Sequence, residues 1–136
     1  MSELVENLQF NGPLPDLIGQ LCNGLVVQHF YDGTVLSDQA NVVFFRFGDV
    51  WHRICFETGT ILWRMGEAPE SPVNSTIAHG LLLNDLSEMT GIVGYHLADV
   101  AYSATPQGDV GAKFLFDSGA ALSLSYDTGA DSTRID

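Results

Sequence analysis

A chain of 136 residues, 46% hydrophobic and 16% charged, is long enough to bury a core and too apolar to be a disordered acidic tail. Its 17 Asp and Glu against 5 Lys and Arg give a formal charge of −12. That balance excludes nucleic acid and anionic membrane as direct partners, because phosphate binding needs Lys and Arg, and it favours fast encounter with a basic protein.

The first residues, Met1 to Glu6, carry neither the basic region nor the apolar run of a signal peptide, and no stretch approaches the about 20 apolar residues of a membrane span. A cytoplasmic location is therefore expected, and Cys22 and Cys55 read as reduced, buried thiols. Residues 1–12 are expected to fray. From Pro13 to Gly24 the spacing of Leu14, Leu17, Ile18 and Leu21 predicts a short helix with one apolar stripe, prolines in its first turn and Asn23-Gly24 as its stop. Strands follow at Leu25 to Tyr31, Val42 to Phe47, Val50 to Phe56 and Thr60 to Met65, separated by Asp32-Gly33, Gly48-Asp49 and Glu57-Thr58-Gly59. The last three of these strands form an antiparallel meander. After a Pro-rich loop from Gly66 to Pro72, a strand is expected over Thr76 to Leu83 and one helical turn over Asp85 to Met89. A second meander takes Leu97 to Ala104, Val110 to Phe116 and Ala120 to Tyr126, and residues 128–136 form a polar tail expected to fray.

The two meanders echo each other at an offset of 60 residues: Gly48-Asp49-Val50 matches Gly108-Asp109-Val110, and Phe56, Gly59 and Leu62 match Phe116, Gly119 and Leu122. In the second, a three-residue loop Asp117-Ser118-Gly119 sets Phe116 against Ala120. Phe114, Phe116, Leu122, Leu124 and Tyr126 then share one face, with Lys113, Ser123 and Ser125 on the other. In the first, Val42, Phe44, Trp51, Cys55, Ile61 and Trp63 compete with Val43, Phe45, Phe47, Ile54, Phe56 and Leu62, so both faces are apolar. Either the sheet is covered on both sides, or one apolar face is open for binding. The expected fold class is α+β, mainly β: antiparallel sheet built from two three-stranded meanders, with a short N-terminal helix packed on them, in a single domain spanning 1–136.

Few residues form constellations that carry chemistry. Arg46 and Arg53 flank Trp51 across the Gly48-Asp49 turn, which reads either as an anion or ligand pocket or as two arginines neutralised by carboxylates and stacked on the ring. His29-x-x-Asp32 and His96-x-x-Asp99 lie in extended segments, where i and i+3 point to opposite faces, so neither is read as a metal or acid–base pair. No nucleophile elbow, phosphate loop, zinc Cys pair or His-Glu-x-x-His is present, so neither enzyme activity, a metal nor a cofactor is expected. The acids fall in turns. Glu67 and Glu70, in the stiff Pro-rich loop, lead as partner-binding candidates, with Asp38, Asp49 and Asp109.

In size, in its lack of a signal segment, in a helix followed by strand meanders, and in the run Phe116-Asp117-Ser118-Gly119-Ala120-Ala121-Leu122, the chain resembles the small acidic immunity proteins that bacteria make against contact-dependent or polymorphic toxins. The resemblance carries over no functional residue. It implies a cytoplasmic inhibitor that plugs the active site of a basic, nuclease-type toxin domain. The alternative is a small-molecule-binding β-barrel or cone with a pocket of Trp51, Trp63, Phe44, Arg46 and Arg53.

Overall fold

Alternation of apolar residues with a period of two dominates the chain, and the computed structural model, which describes residues 6–69 and 81–136, is built from strands alone. They are β1 (Gln9–Asn11), β2 (Cys22–Asp32), β3 (Val35–Phe47), β4 (Val50–Glu57), β5 (Thr60–Met65), β6 (Leu81–Asp85), β7 (Leu97–Ala104), β8 (Val110–Phe116), β9 (Ala121–Asp127) and β10 (Ser132–Ile135). One sheet has the order β1-β5-β4-β3-β2-β6 and the other β10-β9-β8-β7. Every described pairing is antiparallel except β1 with β5.

The inner faces of the two sheets meet in one core. Phe45, Phe47, Ile54, Ile61 and Trp63 of the larger sheet pack against Phe114, Phe116, Leu122 and Leu124 of the smaller, all essentially without solvent contact. Each such side chain stabilises the fold by about 1.5–3 kcal/mol relative to exposure. Phe45 and Phe114 touch directly across the layer, with ring centroids 5.0 Å apart.

The expected α+β class is not what forms, because the N-terminal helix is absent. Of its intended stripe only Leu17 is buried, at 5% exposure, while Ile18 stands at 53%. Gly19 adopts a positive φ of 88°, which interrupts any helix there. The backbone beyond it is drawn into sheet pairing: Gly19 donates to the Leu97 carbonyl at 2.7 Å, Leu97 to Gln20 at 3.0 Å and Cys22 to Tyr95 at 2.9 Å. A helix this short has little stability of its own, so a ladder that satisfies two segments at once prevails. The helical turn expected over Asp85 to Met89 is an isolated turn, with Met89 donating to Leu86 and Ser87 to the Asp85 carboxylate.

Both segments expected to fray contain strands. Gln9–Asn11 runs parallel to β5, and Phe10 sets its ring edge-on to Tyr102 at 5.1 Å. Ser132–Ile135 pairs with β9 and also lies beside the first half of β3, which joins β4 only from Val43 onward. Here two side chains do the work of a backbone ladder: Asp38 Oδ1 accepts the Thr133 N–H at 3.1 Å and Gln39 Oε1 the Ile135 N–H at 2.9 Å. The layers are thus stitched at opposite corners, by residues 19–22 beside the start of β7 and by β10 beside the start of β3. Part of the Gly66 to Pro72 loop and the Thr76 to Gly80 portion of the expected strand lie outside the described residues.

Candidate functional site

Turn length decides which side chains face outward. Thr58-Gly59 is a two-residue loop with Gly59 at φ 64°, so Glu57 opposes Thr60 and Phe56 opposes Ile61. Asp117-Ser118-Gly119 is the expected three-residue loop: Phe116 bonds Ala120, and Phe114 opposes Leu122. The two meanders therefore leave their turns in opposite phase. Leu62 faces outward, whereas its counterpart Leu122 is buried. Trp63 turns into the core at 1% exposure, and the structure does not bring it together with Trp51 and Arg53. Its indole N–H donates to Nδ1 of His52, itself 2% exposed, at 3.0 Å. Burial holds the His52 imidazole below its ordinary pKa.

The outer face of the larger sheet does gather the other pocket residues. His52, Ile54 and Phe56 point inward on β4, so Trp51, Arg53 and Cys55 point out. Arg46 opposes Trp51, Phe44 opposes Arg53, and Arg53 opposes Arg64 on β5. A side chain at Gly24 would meet Trp51 Cη2 at 2.8 Å and Arg46 Cβ at 2.9 Å, so the indole lies across β3 onto the bare glycine of β2. Sequence reasoning missed Arg64. The signal was the Thr-Gly pair, which permits a two-residue hairpin and puts positions 62 and 64 on the face of 53 and 55. Cys55 shares this face, and burial pushes its thiol up, with Arg53 and Arg64 acting the other way.

The acidic candidates do not converge. Asp38 is 8% exposed and spent on structure, since its carboxylate also accepts the Ala40 N–H. Burial raises its pKa, opposed by those two hydrogen bonds. Asp49 and Glu67 are exposed near one end of the sandwich, Asp109 lies at the other, and Glu70 is outside the described residues. At Asp109's end the β2–β3, β4–β5, β7–β8 and β9–β10 turns come together. Gly59 donates to Gly108 at 2.8 Å, the hydroxyls of Thr58 and Thr128 are bonded, and Asp109 Oδ1 accepts the Thr128 N–H at 3.0 Å. Tyr126 donates to Asp131 at 2.6 Å. These turns and their flanks carry Asp32, Glu57, Asp109, Asp127 and Asp131 and no Lys or Arg. From this end a groove of about 690 Å³ runs over the outer face of the smaller sheet, walled by Leu36, Ser103, Asp109, Asp127 and Arg134. Arg134 is already paired with Asp136 at 2.8 Å.

The His-x-x-Asp pairs are not pairs. His96 Nδ1 lies 3.2 Å from Asp117, and His29 Nε2 lies 3.2 Å from the Asn84 amide. Among the described residues no group of three His, Cys, Asp or Glu side chains could hold a metal ion. No helix there is long and apolar enough to cross a membrane. Comparison with protein-family profiles, with curated proteins and with solved structures gives no match.

Proposed function

We propose that this chain is a protein-binding inhibitor of a basic partner, of the immunity-protein kind, acting in the cytoplasm against a nuclease-type toxin domain. The observation that carries the reading is the turn-rich end where Asp32, Glu57, Asp127 and Asp131 stand exposed around Asp109, opening into a groove walled by Asp109 and Asp127. A nuclease binds phosphates with Lys and Arg, and carboxylates held on strand ends meet the same cations without induced fit. The groove offers a basic loop a place to enter.

The test is to sequence the reading frames beside the gene, co-produce the chain with any basic toxin domain they encode, and follow association by stopped flow. Growth is rescued, and the association rate falls at least about tenfold between low and high salt, because steering by exposed charges is screened. Replacing Glu57, Asp127 and Asp131 by their amides slows association in low salt. Rescue that fails, or association indifferent to salt, overturns the reading.

A further inference from the structure

We propose that the outer face of the larger sheet holds an oxyanion site, in which the guanidinium groups of Arg53 and Arg64 clasp a phosphate or carboxylate group carried by a small molecule.

Three of the 5 basic residues in a chain with 17 acids, Arg46, Arg53 and Arg64, project from this one face. Arg53 and Arg64 are direct cross-strand partners, which sets their Cβ atoms about 4.5–5.5 Å apart, a distance at which like charges repel. No carboxylate among the described residues comes within 4.0 Å of either guanidinium. Arg53 makes no hydrogen bond to any of them, so none of its five N–H donors has an acceptor among the described residues. Arg64 spends its fork on neutral oxygens, the carbonyls of Asn11 and Trp63 and the Asn11 amide. Among the described residues Arg46 reaches only Asp49, at 3.7 Å, through a carboxylate 99% exposed, and its buried Nε has no partner there. Glu57 and Glu67 are close enough to influence the Cys55 thiol on the same face, yet neither pairs with an arginine.

Directly paired positions let two planar forks converge on one oxyanion, Arg53 through its open donors and Arg64 by releasing Asn11. Phe44, buried beside Arg53, removes water from one flank and strengthens any charge-assisted bond formed there. The overall charge of −12 does not preclude such a ligand, since at physiological salt charges beyond about 8 Å are largely screened. The site lies on a sheet face rather than at the carboxylate-rich end, so loss of one function leaves the other intact.

The experiment titrates the folded protein with inorganic phosphate and, separately, with citrate at constant ionic strength set by sodium chloride, read by the Nε–Hε resonances of the arginines and the indole resonance of Trp51. Saturable 1:1 binding of either anion is expected, with shifts centred on Arg53 and Arg64. R53Q and R64Q weaken it at least about tenfold, a difference of about 1.4 kcal/mol. K113Q, on the other sheet, leaves it unchanged. Response to phosphate alone assigns a phosphate ligand, and response to citrate alone a carboxylate. No saturation by either anion at about 20 mM, weaker than any affinity in the millimolar class, or equal binding by R53Q, overturns the proposal.

Discussion

Replacing Asp38 by alanine removes the acceptor for two backbone donors, Ala40 N–H and Thr133 N–H, both 3.1 Å from Oδ1 in a position with little solvent. Each buried donor left without a partner costs about 1–3 kcal/mol, so D38A loses about 2–6 kcal/mol. With a urea slope of about 1–3 kcal/mol per M, the unfolding midpoint falls on the order of 1 M or more. D38N keeps an oxygen in place and sheds a buried charge, so it stays within about 1 kcal/mol of the parent. The pH dependence separates charge from hydrogen bonding. Burial raises the folded-state pKa of Asp38, against the Thr133 and Ala40 bonds that lower it; Asp131 adds to the rise and His29 opposes it. Between the ordinary aspartate value and the raised one, the folded protein holds more protons than the unfolded chain. The stability contributed by Asp38 therefore falls as pH rises through that window. D38N lacks this dependence and gains on the parent as pH rises. Urea titrations of the three proteins at acid and neutral pH are the assay. A loss below about 0.5 kcal/mol in D38A, far under the cost of one orphaned donor, or equal behaviour of D38A and D38N, refutes the reasoning.

Other consequences are open to simple measurement. Gly24→Ala drives a methyl into Trp51 and Arg46, costing about 1–3 kcal/mol and shifting Trp51 fluorescence; the double variant G24A/W51A recovers most of the loss if the indole is the obstacle. Protonating His52 at Nδ1 would set its N–H against the Trp63 N–H. Its lowered pKa means that stability falls as pH drops below the ordinary histidine value, and His52→Gln flattens that slope in urea titrations. Cys22 is fully buried, with its thiol pushed up to about 11, so it resists alkylation at pH 8 (roughly its unperturbed range) in the folded protein and reacts on unfolding.

What the sequence disclosed depended on how clean its alternation was. The second meander has one apolar and one polar face, so burial alone selects the three-residue loop and the Phe116–Ala120 pairing. The first meander is apolar on both faces, and alternation there carries no phase. Only the length of the Thr58-Gly59 loop separates Trp63 from Trp51. The strand expected from Val42 begins at Val35: Asp32-Gly33 marked the end of β2, but 35–41 was not read as strand, and register shifts near Gln28 and Phe30 turn Asp38, an apparent surface acid, inward. The stripe from Leu14 to Leu21 was misleading because local helix spacing competes with pairing to residues more than seventy positions away, which no local pattern records. The carboxylate-rich end was visible only as acids placed in separate turns. Its assembly depends on which turns the topology brings to one end.

The corner closed by Asp38 and Thr133 joins positions 95 apart in sequence. Contacts this remote must overcome a large loop-closure entropy before they contribute, and β-rich folds dominated by them form in milliseconds to seconds. During synthesis the seam beside the start of β3 stays open until β10 has been made, with the buried amides and the Asp38 carboxylate still wet. The Thr133 and Ile135 amides thus find their acceptors on β3 only once β10 is in place.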